Sequence, residues 1–405
     1  MSAQTGLSRR RVAAASSSND VDDEEDVRRP PISTTTSTTS EANGSRAVHA
    51  GTALAGGSKV AYDPRDLVGA SGSGADEEGT SPRLTLLEEI LLLGIKDRAG
   101  YLSFWNDNIS YALRGCILIE LALRRRIAMV KDPARRRLPL AERQIEVVSD
   151  RQTGETILDE ALKAMKAQQD GPGGGVPGEK MSVGSWVDLF SGETWNVMKI
   201  GFQLKQVRER LAKGLVDKGI LRTEKRNFLL FDMATHPVAD AAVKESIMSR
   251  VVALLTARTT TIPAAALPGA AIKGSFSSSS VQPNIAFPIT RTVALVCAAY
   301  AASVLDNALI RLGYDEREAA FSRCDDLLNE FTAWPLGSGS NSTSMGTARR
   351  PIASGSGAGP TPRELIGGLV QAVRGELAAG KEGDDLHFEI IVTVFEIFSR
   401  MDSLL

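Results

Sequence analysis

Along most of the chain, apolar residues recur at helical spacing. Leu84, Leu87, Ile90, Leu91 and Leu93 give a helix with a broad apolar face, and Ser81 or Thr85 can cap its start. Leu102–Arg126 reads as a longer helix, with Ile109, Leu113, Cys116, Ile117, Ile119 and Leu123 near 3.6 spacing. Arg124–Arg126 close it where cations suit the dipole. Ile145–Ser149 and Thr156–Leu158 predict a short hairpin around Asp150–Gly154, followed by a helix over Leu158–Gln169. Trp186, Leu189, Phe190 and Trp195 supply bulky core residues. A helix over Gln203–Lys218 stops at Gly219, and Ile220–Lys225 with Phe228–Met233 predict a second hairpin turning at Arg226–Asn227. Lys244–Thr256, Val293–Leu312, Asp315–Phe331, Pro362–Ala379 and His387–Met401 predict further helices. The fold class is therefore mainly α, a single helical domain with one or two β-hairpins.

Four stretches break this pattern. Residues 1–82, 170–180, 258–288 and 335–362 are dominated by Ser, Thr, Gly, Pro, Ala and scattered charge. The first is expected to be a disordered tail, because it has too few aromatic residues to repay the entropy of ordering. The others read as low-complexity inserts in a domain spanning 83–405. Of the 405 residues, about 250 remain, which fits one domain with a sizeable interior.

Composition narrows the function mainly by exclusion. The chain carries 47 basic and 49 acidic residues, a net charge of −2. Its three cysteines, Cys116, Cys297 and Cys324, are too few for a disulfide scaffold and fit no zinc spacing, so no metal is expected. No apolar run approaches the roughly 20 residues of a membrane-spanning helix; Phe388–Phe398 is interrupted by Glu389 and Glu396. The three histidines, His49, His236 and His387, lie in no recognised nucleophile motif. The glycines Gly173, Gly175 and Gly178 match a dinucleotide fingerprint but follow a helix and enclose Pro177, so they read as a loop. No catalytic residue and no cofactor is predicted; the chain does not read as an enzyme.

The informative stretch is Gln203–Asp232. Lys205, Arg208, Arg210, Lys213, Lys218, Arg222, Lys225 and Arg226 face only Glu209, Asp217 and Glu224 over residues 203–226, a local charge of +5. Such a patch attracts phosphate, of nucleic acid or of an anionic lipid surface. Helix, short strand, basic turn and second strand also describe a winged-helix nucleic-acid binder. Against that reading, Phe228, Leu229, Leu230 and Phe231 are apolar where a wing meets phosphates. They suit insertion at a bilayer interface, subunit contact, or core packing. Strand alternation would set Phe228 and Leu230 on one face and Leu229 and Phe231 on the other.

Leu84–Gly94, Ser103–Asp107, Leu113–Arg124, Leu189–Asn196, Val207–Lys213 and Thr223–Pro237 closely resemble the Golgi phosphoprotein 3 family. The resemblance runs from about Leu84 to Thr256 and more loosely through the helices after Arg291. It implies a peripheral protein on the cytosolic face of Golgi membranes that binds phosphatidylinositol 4-phosphate. It also implies an adaptor that links the cytosolic tails of Golgi glycosyltransferases to the coatomer (COPI) coat. By the family motifs, Trp105, Arg114, Lys205 and Arg208 would form the headgroup pocket. Lys at 205 stands where some relatives have Arg, and gives a point charge instead of a bidentate fork. Arg9, Arg10 and Arg11 match the family's coat-binding arginine cluster. A homo-oligomer is compatible with the resemblance, and no nucleic acid is expected.

Overall fold

The computed structural model describes residues 83–102, 107–171, 178–228, 231–269, 285–337 and 360–401. The tail 1–82 with Arg9–Arg11, Trp105, Leu229 and Leu230, and part of each insert lie outside the described residues.

The architecture is helical around one hydrophobic core, as the periodicity predicts. Helix α1, Leu86–Gly94, starts at a capping box in which Thr85 Oγ1 accepts from the Glu88 N–H and the Glu88 carboxylate accepts from the Thr85 N–H. Every residue of α1 is buried. Helix α2, Asp107–Leu123, is apolar on almost all sides and runs through the middle of the core. It packs against α1, against α4 (Val183–Ser191), against α7 (Pro288–Ala301) and, most extensively, against the last helix, α11 (Asp384–Met401). Gly115 makes that last contact close: a Cβ there would sit 2.5 Å from Phe398 Cε1 and 2.9 Å from Val394 Cγ1.

Charge inside this core is paired. Glu120, fully buried on α2, meets Arg124 at 2.8 Å and Arg291 of α7 at 3.0 Å, and accepts from the Leu86 N–H. Glu389, fully buried on α11, meets Arg143 at 2.6 Å and Arg135 at 3.2 Å. A lone carboxylate at either place would be expensive; two guanidiniums and further hydrogen bonds offset the desolvation. Glu376 of α10 (Pro362–Ala378) accepts from the Ile289 and Thr290 N–H groups and so caps α7.

Several local expectations are corrected. Ile145–Val147 (β2) does not fold onto 156–158; it pairs antiparallel with β1, Ile127–Met129. Thr156 instead opens α3, Thr156–Asp170, because Asp159 Oδ1 accepts from both Thr153 N–H and Thr153 Oγ1–H and turns 150–154 into a helix entry. The predicted helix Val293–Leu312 is two helices, α7 and α8 (Leu305–Leu309), separated where Ser303 takes a left-handed φ of 56°. Helices α6 (Ala241–Leu255) and α9 (Tyr314–Glu330) lie close to the predicted spans.

The second hairpin also differs in register. β3, Glu224–Phe228, pairs with β4, Phe231–Thr235, and Phe228 lies opposite Phe231. Arg226 and Asn227 are strand residues opposite Met233 and Asp232, not the turn. Leu229 and Leu230, and with them the expected division of 228–231 into two faces, lie outside the described residues. The base is fixed elsewhere: Thr235 Oγ1–H donates to the Glu224 carbonyl, and the Arg222 N–H to the Pro237 carbonyl.

Candidate anion-binding site

The site begins with α2. Two turns in from its start, Arg114 is buried, 8% exposed, and carries its charge into the junction between α4 and the segment before α5 (Val207–Asp217). Its Nε–H donates to the Phe190 carbonyl at 3.3 Å, and Nη2 to the Leu204 carbonyl at 3.1 Å. Nη1 donates to the Ser110 carbonyl and to Ser110 Oγ, at 2.9 and 2.7 Å. Arg143, Arg250 and Arg291, also buried, each meet a carboxylate. Arg114 meets none among the described residues. Burial lowers its pKa, yet a guanidinium does not give up its proton in a protein. The junction thus holds a positive charge that carbonyl and hydroxyl dipoles solvate but do not neutralise.

Leu204 leads directly to Lys205. The expected helix over Gln203–Lys218 starts later: Gln206 is left-handed at φ 51°, and α5 begins at Val207. Lys205 is therefore an exposed turn residue ahead of the helix, and Arg208 sits in its first turn, so the two do not share one helix face. They flank the helix N-terminus instead. The Gln206 side chain does not cap it, and the positive end of the dipole adds to the two cations. Lys205 has no ion-pair partner among the described residues. Arg208 Nε and Nη2 both donate to Glu209 Oε1, at 3.0 and 2.5 Å, in an exposed pair. Burial works against ionisation of Glu209, but the hydrogen bond and charge of Arg208 prevail and hold its pKa below the ordinary value. A pair this exposed is worth little, so a dianionic phosphate can compete with Glu209 for Arg208.

The +5 stretch is less cationic in space than in sequence. Arg210 meets Glu160 at 2.5 Å, Lys218 meets Glu88 and Glu155 at 2.8 Å each, and Arg222 meets Glu224 at 2.7 Å. Partners distant in sequence take Arg210 and Lys218 into structural pairs, a near neighbour takes Arg222, and Lys205 and Arg208 stand at the helix entrance.

Three residues of this region carry no weight in the sequence reading. Ser110 holds Arg114 from one turn away; its i, i+4 spacing on a helix is the only sequence signal. Gly100, at φ 71°, lets the segment that leads toward Trp105 close on the end of the second hairpin, where its carbonyl accepts from the His236 N–H at 2.8 Å. His236 itself lies near Arg208: burial first, and then the Arg208 charge, lower its pKa. The structure thus brings Gly100, His236 and Arg208 together. Trp105 and the hairpin tip are outside the described residues.

Trp195 is the clear miss. It was expected in the core, and it is fully exposed; Trp186 and Phe190 of α4 are the buried pair, with ring centroids 5.2 Å apart. α4 ends at Gly192, left-handed at φ 87°, so Trp195 falls past the helix on an outward loop. No helix among the described residues is long and apolar enough to cross a membrane.

Residues 86–350 match the Golgi phosphoprotein 3 (GPP34) family. Over 347 residues the chain is 50% identical to vacuolar protein sorting-associated protein 74 of Schizosaccharomyces pombe, covering 86% of this chain and 88% of that one. It is 44% identical over 347 residues to the protein of the same name from Eremothecium gossypii, covering 86% and 90%. The chain belongs to the Golgi phosphoprotein 3 family, a family with a Golgi-associated function.

Proposed function

We propose that this protein is a non-enzymatic peripheral adaptor of the cytosolic Golgi surface that binds phosphatidylinositol 4-phosphate through Lys205, Arg208, Arg114 and Trp105. One observation carries the reading. The uncapped N-terminus of α5 lies between Lys205 and Arg208, and Arg114 pins the carbonyl of Leu204 immediately before them. A monoester phosphate carries close to two negative charges, and a helix entrance with two or three cations is suited to it. Arg114 supplies buried positive charge and fixes the loop; Lys205 and Arg208 supply the exposed contacts. Bound to the membrane in this way, the protein would hold the cytosolic tails of Golgi glycosyltransferases and present Arg9–Arg11 to coatomer. The hairpin tip, 228–231, would add an apolar contact with the bilayer or with a second copy.

Vesicle sedimentation beside a duplex-DNA mobility shift tests this reading against the winged-helix one. Binding to vesicles containing phosphatidylinositol 4-phosphate, with none to matched vesicles of phosphatidylinositol and no DNA shift, is the expected result. A DNA shift without lipid selectivity overturns it. The β3–β4 hairpin already disfavours a wing, since Arg226 donates to the Arg98 carbonyl and lies near Glu224.

A further inference from the structure

The segment between α4 and Lys205 is a closed loop whose apolar residues face outward. Its two ends are fastened together: the Leu204 N–H donates to the Phe190 carbonyl at 3.1 Å, and Gln203 Nε2 to the Ser191 carbonyl at 3.4 Å. Gly192 and Gln203 are so close that a Cβ at 192 would lie 2.2 Å from Gln203 Nε2. Within the loop, Asn196 Oδ1 accepts from the Met198 N–H and starts a 3-10 turn over Val197–Phe202. Phe202 anchors the loop with its ring edge-on to buried Trp186, 5.6 Å between centroids. Backbone bonds and that one ring hold the shape, so the remaining apolar side chains are not needed for folding. Trp195 is 104% exposed, Met198 88%, Val197 76% and Ile200 47%. Single exposed apolar residues are ordinary, whereas four within six positions on a fixed loop mark a contact surface.

Charge and position say what covers it. The loop ends at Leu204, whose carbonyl Arg114 holds, one residue before Lys205 and at the entrance of α5. Lys199 rises within the apolar cluster, its Nζ 3.4 Å from Glu179 and 3.5 Å from Met181 Sδ. The acids on this side include Glu179, which meets Lys199, and, at the foot of the loop, Glu193 with Asp188 and Asp107 near it. Burial, then Asp188 and Asp107, raise the Glu193 pKa. An apolar crest with an indole at its edge, set against cations at its base, matches an anionic bilayer interface: side chains enter the acyl boundary and cations meet phosphates.

We infer that Trp195, Val197, Met198 and Ile200 form a membrane-inserting loop that enters the bilayer beside the bound headgroup. This rests on the lipid-headgroup reading and adds a second anchor, since one headgroup contact alone is marginal for stable residence on a membrane.

The test uses the full chain and vesicles of phosphatidylcholine with phosphatidylinositol 4-phosphate, prepared with and without brominated acyl chains. Tryptophan emission of the natural protein is expected to be quenched on binding. At equal bound fraction the quenching should be smaller for Trp195→Phe. Trp195→Ser with Met198→Ser should weaken sedimentation by about tenfold or more at unchanged melting temperature. Because the contact is apolar, that loss should persist at high salt. Natural protein that binds selectively, with identical quenching in Trp195→Phe and full binding by the Ser variant, overturns the inference and leaves the headgroup reading intact. Natural protein with no lipid-dependent sedimentation overturns both. If the Ser variant changes the oligomeric state without lipid while vesicle binding is kept, the loop is a contact between copies and the inference fails.

Discussion

Arg114 reaches across from α2 to the carbonyl of Leu204 at 3.1 Å and so fixes the backbone one residue ahead of Lys205. The two residues are ninety positions apart in the chain, and their union sets the shape of the helix entrance. Electrostatics and architecture meet in the same guanidinium, which has consequences for mutagenesis.

Arg114→Ala is predicted to destabilise the fold as well as weaken lipid binding. It leaves the Leu204 carbonyl without its Arg114 donor in a buried place, at a cost of about 1–3 kcal/mol, while the Phe190 carbonyl keeps the Leu204 N–H. Thermal unfolding should show a lowered melting temperature. Arg208→Ala removes an exposed pair with Glu209 and no buried ion pair, and its stability should stay within about 0.5 kcal/mol of the natural protein. A melting temperature unchanged by Arg114→Ala would show that the junction does not depend on it.

Gly115, the neighbour of Arg114, is predicted to tolerate no side chain. A Cβ there would lie 2.5 and 2.7 Å from two ring atoms of Phe398, inside the packed face between α2 and α11. Gly115→Ala should cost about 1–3 kcal/mol by overpacking. Gly201→Ala meets nothing within 4 Å and should leave chemical denaturation unchanged. Equal denaturation midpoints for both variants would contradict the close α2–α11 contact.

Acid should destabilise the protein through Glu120. Burial raises its pKa, but Arg291 and then Arg124 overcome this and hold it at about 2, below the ordinary value of 4.5. A carboxyl depressed on folding contributes stability above its unfolded pKa and loses it as pH falls through the folded one. The contribution, about 3 kcal/mol, is therefore full above pH 4.5 and fades toward pH 2. Arg291→Met should cost about 3–5 kcal/mol at neutral pH and shift the acid loss to higher pH. Denaturant titrations between pH 2 and 7 check this; parallel curves for the two proteins would exclude Glu120 as the group responsible.

The sequence-level reading succeeded where periodicity was unopposed. α1, with Thr85 and Glu88 three apart, and α2 are visible from spacing, although α2 is Asp107–Leu123 and not Leu102–Arg126, since Leu102 bridges to Ile95 and Arg125 turns left-handed at φ 53°. It failed where a tertiary contact decided. Ile145–Val147 found its partner strand eighteen residues upstream, and Gln206 in a left-handed conformation moved the start of α5 past Lys205. The residues of the anion site came from family motifs; composition supplied only an excess of cations. Which of those cations remain at the surface could not be read from the chain, because Glu160, Glu88 and Glu155 reach them only after folding. Trp195 shows the converse: an aromatic residue argues for burial until Gly192 ends the helix that would have buried it.

Coat binding is predicted to require Arg9–Arg11. Replacing all three with Ala should reduce recovery of coatomer from lysate and leave vesicle binding intact. The other arginine clusters are mostly committed inside the fold: Arg124 to Glu120, Arg125 to Asp384 at 2.7 Å, and Arg135 to Glu389. Undiminished recovery would move the contact to Arg136 and Arg137, the exposed members of their cluster.

The decisive measurement is the ratio of affinities for vesicles with phosphatidylinositol 4-phosphate and with phosphatidylinositol, compared between the natural protein and Lys205→Ala with Arg208→Ala. Each lost charge-assisted contact is worth about 1.5–3 kcal/mol, so the ratio should fall at least about tenfold while the melting temperature holds. A folded double variant that keeps the natural selectivity would contradict the assignment of the headgroup to the entrance of α5.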